Sequence, residues 1–197
     1  MTNPIALNHP FLRRCTDPDY LFGDPQLNPH LYRLEKQAAA FAGKDTDLLN
    51  AYKGDGFELF WEYTFHVLGM SKRVGMLNYQ LVDSADDIGV DGVGIGIDGK
   101  PAAVQIKYRQ ANWTLSANAD HLGNFGFASL RKYGVQFDTT TGLLIVTSAG
   151  DVHHHTRDTM FGGQARFIVR DQIRQLVDDH VMFWRGFQES WRYSLTL

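Results

Sequence analysis

The chain has 197 residues, with 19 Lys and Arg against 22 Asp and Glu and a formal net charge of −3. An apolar share of 44% and an aromatic share of 13% can fill one compact domain with a small appendage, and they exclude disorder, collagen and coiled coil as descriptions of the whole. No apolar run reaches the ~20 residues of a membrane span, the N-terminus lacks a basic region leading into an apolar core, and the single Cys15 excludes an internal disulfide or a Cys-based zinc site. A soluble, cytoplasmic protein with no membrane partner is expected, and any metal would be held by oxygen or histidine.

Residues 1–29 are punctuated by Asp17-Pro18, Asp24-Pro25 and Asn28-Pro29 and read as an extended arm. Leu31, Leu34, Ala38 and Phe41 have helical spacing, with Gly43 as a stop. Residues 55–68 predict a second helix with a wide apolar stripe, Phe57, Phe60, Trp61, Thr64, Phe65 and Leu68, ended by Gly69.

Short β-like runs follow at 77–82, 90–97 and 102–108, with Asp98-Gly99 as a hairpin turn signal. Residues 114–133 read as a helix weakened by Gly123 and Gly126, and 142–147 as a strand covered on both faces. A further strand at 167–169 precedes a helix capped by Asp171, and Phe183, Trp184, Phe187 and Trp191 make an aromatic stripe on a last helix. Such a stripe must pack on something, either on this chain or on a partner. The order predicts an α/β sandwich: a central mixed β-sheet with an antiparallel hairpin, flanked by helices. The divisions expected are an arm and helix at 1–54, a main domain at 55–180 and the aromatic helix at 181–197.

Chemistry concentrates around the hairpin. Asp83, Asp86, Asp87 and Asp91 cluster at the entrance to one strand, and alternation puts Gln105 and Lys107 on one face of the other, opposite Val104, Ile106 and Tyr108. One use of such a set is metal-assisted hydrolysis of a phosphodiester. Mg²⁺ takes oxygen ligands, here the Asp91 carboxylate, the Gln105 side-chain oxygen and the Ile106 carbonyl. Lys107 would set a positive charge against the scissile phosphate or the attacking water, and Glu58 on the preceding helix could hold a water. A two-residue turn at Asp98-Gly99 would put Asp91 opposite Ile106, on the wrong face. A three-residue loop or a β-bulge between Asp91 and Gln105 is therefore predicted.

Phe57-Glu58, Asp87-Ile88-Gly89-Val90-Asp91-Gly92, Gln105-Ile106-Lys107 and Leu144-Ile145-Val146-Thr147, in that order and spacing, resemble the PD-(D/E)XK nuclease superfamily and, within it, the Mrr-like restriction endonuclease branch. The resemblance covers roughly residues 55–180. It implies a restriction-endonuclease-like fold, a Mg²⁺ cofactor for which Mn²⁺ can substitute, and hydrolysis of DNA phosphodiesters. The catalytic set it implies is Asp91, Gln105 and Lys107, with Glu58 as the helical acid. Gln105 stands where the superfamily most often has an acid, an exchange that recurs in the Mrr-like branch and removes one anionic ligand.

Restriction-like endonuclease activity is the first expectation. Homing or Holliday-junction cleavage, an RNA nuclease and a non-catalytic DNA-binding module are the alternatives. Arg109, Lys72, Arg73 and Trp113 are the candidate DNA contacts, with Arg131 and Lys132 as further phosphate contacts. A homodimer would gather enough of them, and a helicase or methyltransferase component is the companion such an enzyme would have. Glu62, one turn after Glu58, competes with it, and His153-His154-His155 reads as a surface loop, a phosphate contact or a metal cluster. Residues 1–130 hold 11 Lys and Arg against 15 Asp and Glu. Much of that excess is the acidic run itself, so near-neutrality does not exclude DNA.

Overall fold

A computed structural model of the protein describes residues 3–82, 89–136 and 141–197. The chain forms two compact units, one from Met1–Tyr63 with Asp171–Leu197 and the other from Thr64–Arg170. This partition differs from the expected 1–54, 55–180 and 181–197: the arm and the aromatic helix belong to one unit, and the sheet to the other.

The first unit opens with extended chain and two one-turn helices, α1 (Phe11–Arg14) and α2 (Pro18–Leu21), the latter capped by the Asp17 carboxylate accepting from the Tyr20 amide. The expected arm is thus partly helical. Next come α3 (Leu27–Ala42), α4 (Thr46–Leu68), which runs on into the second unit, and, from the end of the chain, α7 (Arg170–Val177) and α8 (Val181–Ser194). Helix α4 begins nine residues earlier than 55, through Gly54 and Gly56. Gly56 is required there: a Cβ would lie 2.5 Å from a Leu34 methyl on α3. Packing overrides the low helix propensity of glycine.

The aromatic stripe is spent inside this unit. Phe183, Trp184, Phe187 and Trp191 are all buried. Phe187 meets Phe22 edge-on at 5.1 Å and stacks on Tyr63 at 4.9 Å, and Phe183 meets Tyr63 at 5.1 Å. It therefore offers no dimer surface. The two ends of the chain are also tied together, since the amides of Ile5 and Leu7 donate to the hydroxyls of Ser190 and Ser194.

His30 sits in the middle of these rings, 1% exposed, 5.2 Å from the Trp184 ring, with Nδ1 bonded to the Leu21 carbonyl. Burial pushes its pKa down from 6.5 to about 4. The unfolded chain therefore binds the proton first as the pH falls, and stability present above pH 6.5 is lost on the way down to pH 4. A shift of that size is worth about 3 kcal/mol. In urea unfolding series at pH 7 and pH 4.5, His30→Gln is expected to lose markedly less stability than the wild type. Equal losses would mean that His30 does not titrate this way.

The second unit is built on a five-stranded mixed sheet in the order β1-β2-β3-β5-β7, from β1 (Met76–Leu81), β2 (Gly92–Gly96), β3 (Pro101–Lys107), β5 (Leu143–Thr147) and β7 (Arg166–Ile168). The first three strands run antiparallel, and β3, β5 and β7 run parallel. All five residues of β5 are buried, as expected of a strand covered on both faces.

A helix over 114–133 is not observed. Thr114–Leu115 is a short strand, β4, paired in parallel with β6 (Asp151–Val152), and α5 runs only over Gly123–Tyr133, ended by left-handed Gly134. On the inner side of α5, Phe125 and Ala128 pack with Ala103, Leu143 and Ile145 of the sheet. Gly126 lies under the Phe161 ring, which a Cβ would approach to 2.0 Å. Helix α6 (His154–Thr159) and a 3-10 turn (Met160–Gly163) lead to β7. Among the described residues, no helix is long and apolar enough to cross a membrane.

Candidate active site

The hairpin register decides which side chains meet. Gly92 pairs with Val104 and Ile95 with Pro101, so residues 97–99 form a three-residue loop closed by the Gly96 amide donating to the Lys100 carbonyl. This is the loop that parity demanded. Continued by one residue, the register sets Asp91 opposite Gln105 rather than Ile106. The ladder is irregular there. The Asp91 amide donates to the Val104 carbonyl, and its carboxylate accepts the Ile106 amide. The acid is thus bonded to the peptide that lies between Gln105 and Lys107.

Gln105 and Lys107 share the face of Ala103, toward α5. There they line an open pocket of about 610 Å³ together with Gly89. Gln105 is 1% exposed, and among the described residues its side-chain oxygen has no hydrogen-bond partner. An orphaned buried acceptor costs roughly 1–3 kcal/mol, and a water or an ion would relieve it. Lys107 is half-buried, and its carbonyl is held twice, by the Thr147 hydroxyl at 2.9 Å and the Ser148 amide at 3.2 Å. The strand fixes the root of the side chain, and the tip is left to the pocket.

The far wall comprises His121 and, from α5, the exposed Asn124, Phe127 and Arg131 beside the buried Ala128. Of these, the sequence pointed only to Arg131. The signal for the others was the i, i+3, i+7 spacing of 124, 127 and 131 on a helix whose buried side is Phe125, Gly126, Ala128 and Ser129. His121 has a left-handed backbone, φ 54°, at the end of the loop before α5.

Glu58 lies in the first unit and so is not among the residues the sheet unit brings together. His9 Nδ1 accepts the Phe11 amide, so its proton is on Nε2 and is donated to Glu58 at 3.0 Å. The competing acid, Glu62, is 1% exposed and accepts the amides of Asn8 and His9 at 2.8 and 3.1 Å. It anchors the N-terminal segment to α4.

Of the candidate DNA contacts, Lys72 and Arg73 are exposed in the turn after α4, and Trp113 is 45% exposed. Arg109 is committed elsewhere: Nε donates to the buried Asp120 carboxylate and Nη1 to the Tyr108 carbonyl at 2.7 Å. Its role in the structure is to hold the segment that ends at His121. His153, His154 and His155 are exposed, at the β6–α6 junction, with the first two rings 4.4 Å apart. Among the described residues, no group of three or more His, Cys, Asp or Glu could hold a metal ion. Asp83, Asp86 and Asp87 lie outside the described residues. Among the described residues, the Asp91 carboxylate, the Gln105 side-chain oxygen and main-chain carbonyls of the hairpin are oxygen donors of the kind a hard divalent ion takes.

No protein-family model, no curated protein and no solved structure matches this chain. The arrangement of these residues is therefore the ground on which function must be argued.

Proposed function

We propose that the protein is a metal-dependent DNA endonuclease with a restriction-endonuclease-like fold of the PD-(D/E)XK type, acting in a restriction-like role. The observation that supports the reading is that Gln105 and Lys107 line one pocket, that the buried Gln105 side-chain oxygen has no hydrogen-bond partner among the described residues, and that the Asp91 carboxylate accepts the Ile106 amide between them in sequence.

Asp91, Gln105 and the Ile106 carbonyl would hold Mg²⁺ or Mn²⁺. When bound, the cation supplies Lewis-acid stabilisation of the phosphate and acidifies a water. The chain's own residues do the rest. Asp91 orients the Gln105–Lys107 strand through the Ile106 amide. Gln105 presents a desolvated amide oxygen whose bonding capacity is unspent. Lys107 carries a positive charge into the pocket, where a phosphate oxygen or the departing 3′-oxygen gains negative charge during in-line attack.

The test is a plasmid-nicking assay with Mg²⁺ or Mn²⁺ on the wild type and on Asp91→Ala. Metal-dependent nicking by the wild type and its loss in Asp91→Ala are expected. Equal nicking by both proteins would eliminate the assignment, and binding without nicking would favour a non-catalytic module.

A further inference from the structure

We propose that the α5 wall of the pocket holds one unstacked nucleotide of single-stranded DNA, with its base on the Phe127 ring and its phosphate on the Arg131 guanidinium. The substrate of the proposed nuclease would then be single-stranded or frayed next to the cleaved bond, and the inference rests on that reading for cleavage though not for binding.

The spacing of Asn124, Phe127 and Arg131 puts them on one face of α5, and all three are exposed and line the pocket that Lys107 also lines. Phe127 is 68% exposed. Burying such a ring would be favourable, yet the fold leaves it out, because the inner side of the helix is already filled by Phe125 and Ala128. An exposed ring beside cationic side chains is the arrangement on which single-stranded nucleic acid stacks: every base has an aromatic face, and the cations track its phosphates. Arg131 offers a planar fork that matches a phosphate, and the Asn124 amide can both donate to and accept from a base edge. A volume of about 610 Å³ lies within the usual range for ligand sites. In a continuous duplex both faces of each base are covered by its neighbours, so the Phe127 ring would find no partner there. Gln105, whose buried side-chain oxygen has no hydrogen-bond partner among the described residues, lines the same pocket and is a second, independent observation in favour of a ligand there.

Binding is measured by fluorescence anisotropy with the full chain in EDTA, which separates it from cleavage. The probes are a labelled oligothymidylate of about a dozen nucleotides and a blunt duplex of equal length. The wild type is expected to bind the single strand more tightly. Phe127→Ala should lose about tenfold in single-strand affinity and leave duplex binding unchanged, Phe127→Trp should restore it, and Arg131→Ala should weaken binding and flatten its salt dependence. Unchanged single-strand binding by Phe127→Ala, or a wild type that does not prefer the single strand, would overturn the proposal. A protein that binds through Phe127 but never nicks DNA would retire the nuclease reading alone. Nicking together with an indifferent Phe127 would retire this inference alone.

Discussion

Lys107→Ala is expected to lower metal-dependent cleavage by about 10²–10³-fold, the usual consequence of removing one preorganised group aimed at developing charge. The effect should fall on kcat far more than on KM, because the pocket keeps its other cation, Arg131, for holding the substrate. The strand should not move. The Lys107 carbonyl, not its side chain, makes the bonds to Thr147 and Ser148, and both partners are completely buried. Lys107→Arg is expected to recover part of the rate, since charge is retained but a fork replaces a point donor. Single-turnover cleavage compared with oligonucleotide binding separates the two contributions. A Lys107→Ala protein that cleaves at the wild-type rate would remove this residue from the chemistry.

Asp120→Ala should be among the most destabilising single changes in the sheet unit, at about 3 kcal/mol or more in urea unfolding. The carboxylate is 0% exposed and takes hydrogen bonds from the Arg109 guanidinium, the Ser116 amide at 2.8 Å and the Trp113 indole at 3.4 Å. Removing one partner of a buried pair strands the other, which costs about 3–5 kcal/mol. Arg109 is 31% exposed and can recover some hydration, which places the expectation at the lower end. Asp120→Asn keeps an acceptor and should cost less. A loss below about 1 kcal/mol in Asp120→Ala, the scale of a single ordinary hydrogen bond, would show that the cluster is not cooperative. His121 follows directly in the chain, so the Asn variant, if it remains folded, also asks whether the pocket wall depends on this anchor.

Local rules made the hairpin readable. Alternation assigned Gln105 and Lys107 to one face, and the need to bring Asp91 to them called for a three-residue loop or a β-bulge, of which the pairing of Ile95 with Pro101 creates the loop. The same rules failed over 114–122. Strand β4 is two residues long, too short to carry a period, and it exists because of a partner at 151–152 that no local window contains. Gly126 reads as a helix weakness, whereas it accommodates the Phe161 ring, as Gly56 accommodates Leu34. The site was half legible for a similar reason. Charged residue types announced Asp91 and Lys107, but Phe127 resembled any core aromatic until the helix showed which way it faces. Arg109 resembled a phosphate contact until Asp120, eleven residues on, claimed it.

The sheet unit is a single uninterrupted stretch, Thr64–Arg170, and in sequence it interrupts the helical unit, which is made from both flanks of the chain. During synthesis its strands can pair as soon as β7 has emerged. The helical unit must wait, because Phe60 and Tyr63 bury their rings against Phe183 and Phe187, translated more than a hundred residues later. Until then those aromatics are exposed surface on a growing chain, the condition under which chaperones engage and aggregation begins. Vectorial translation thus favours closing the sheet unit first and the discontinuous helical unit last.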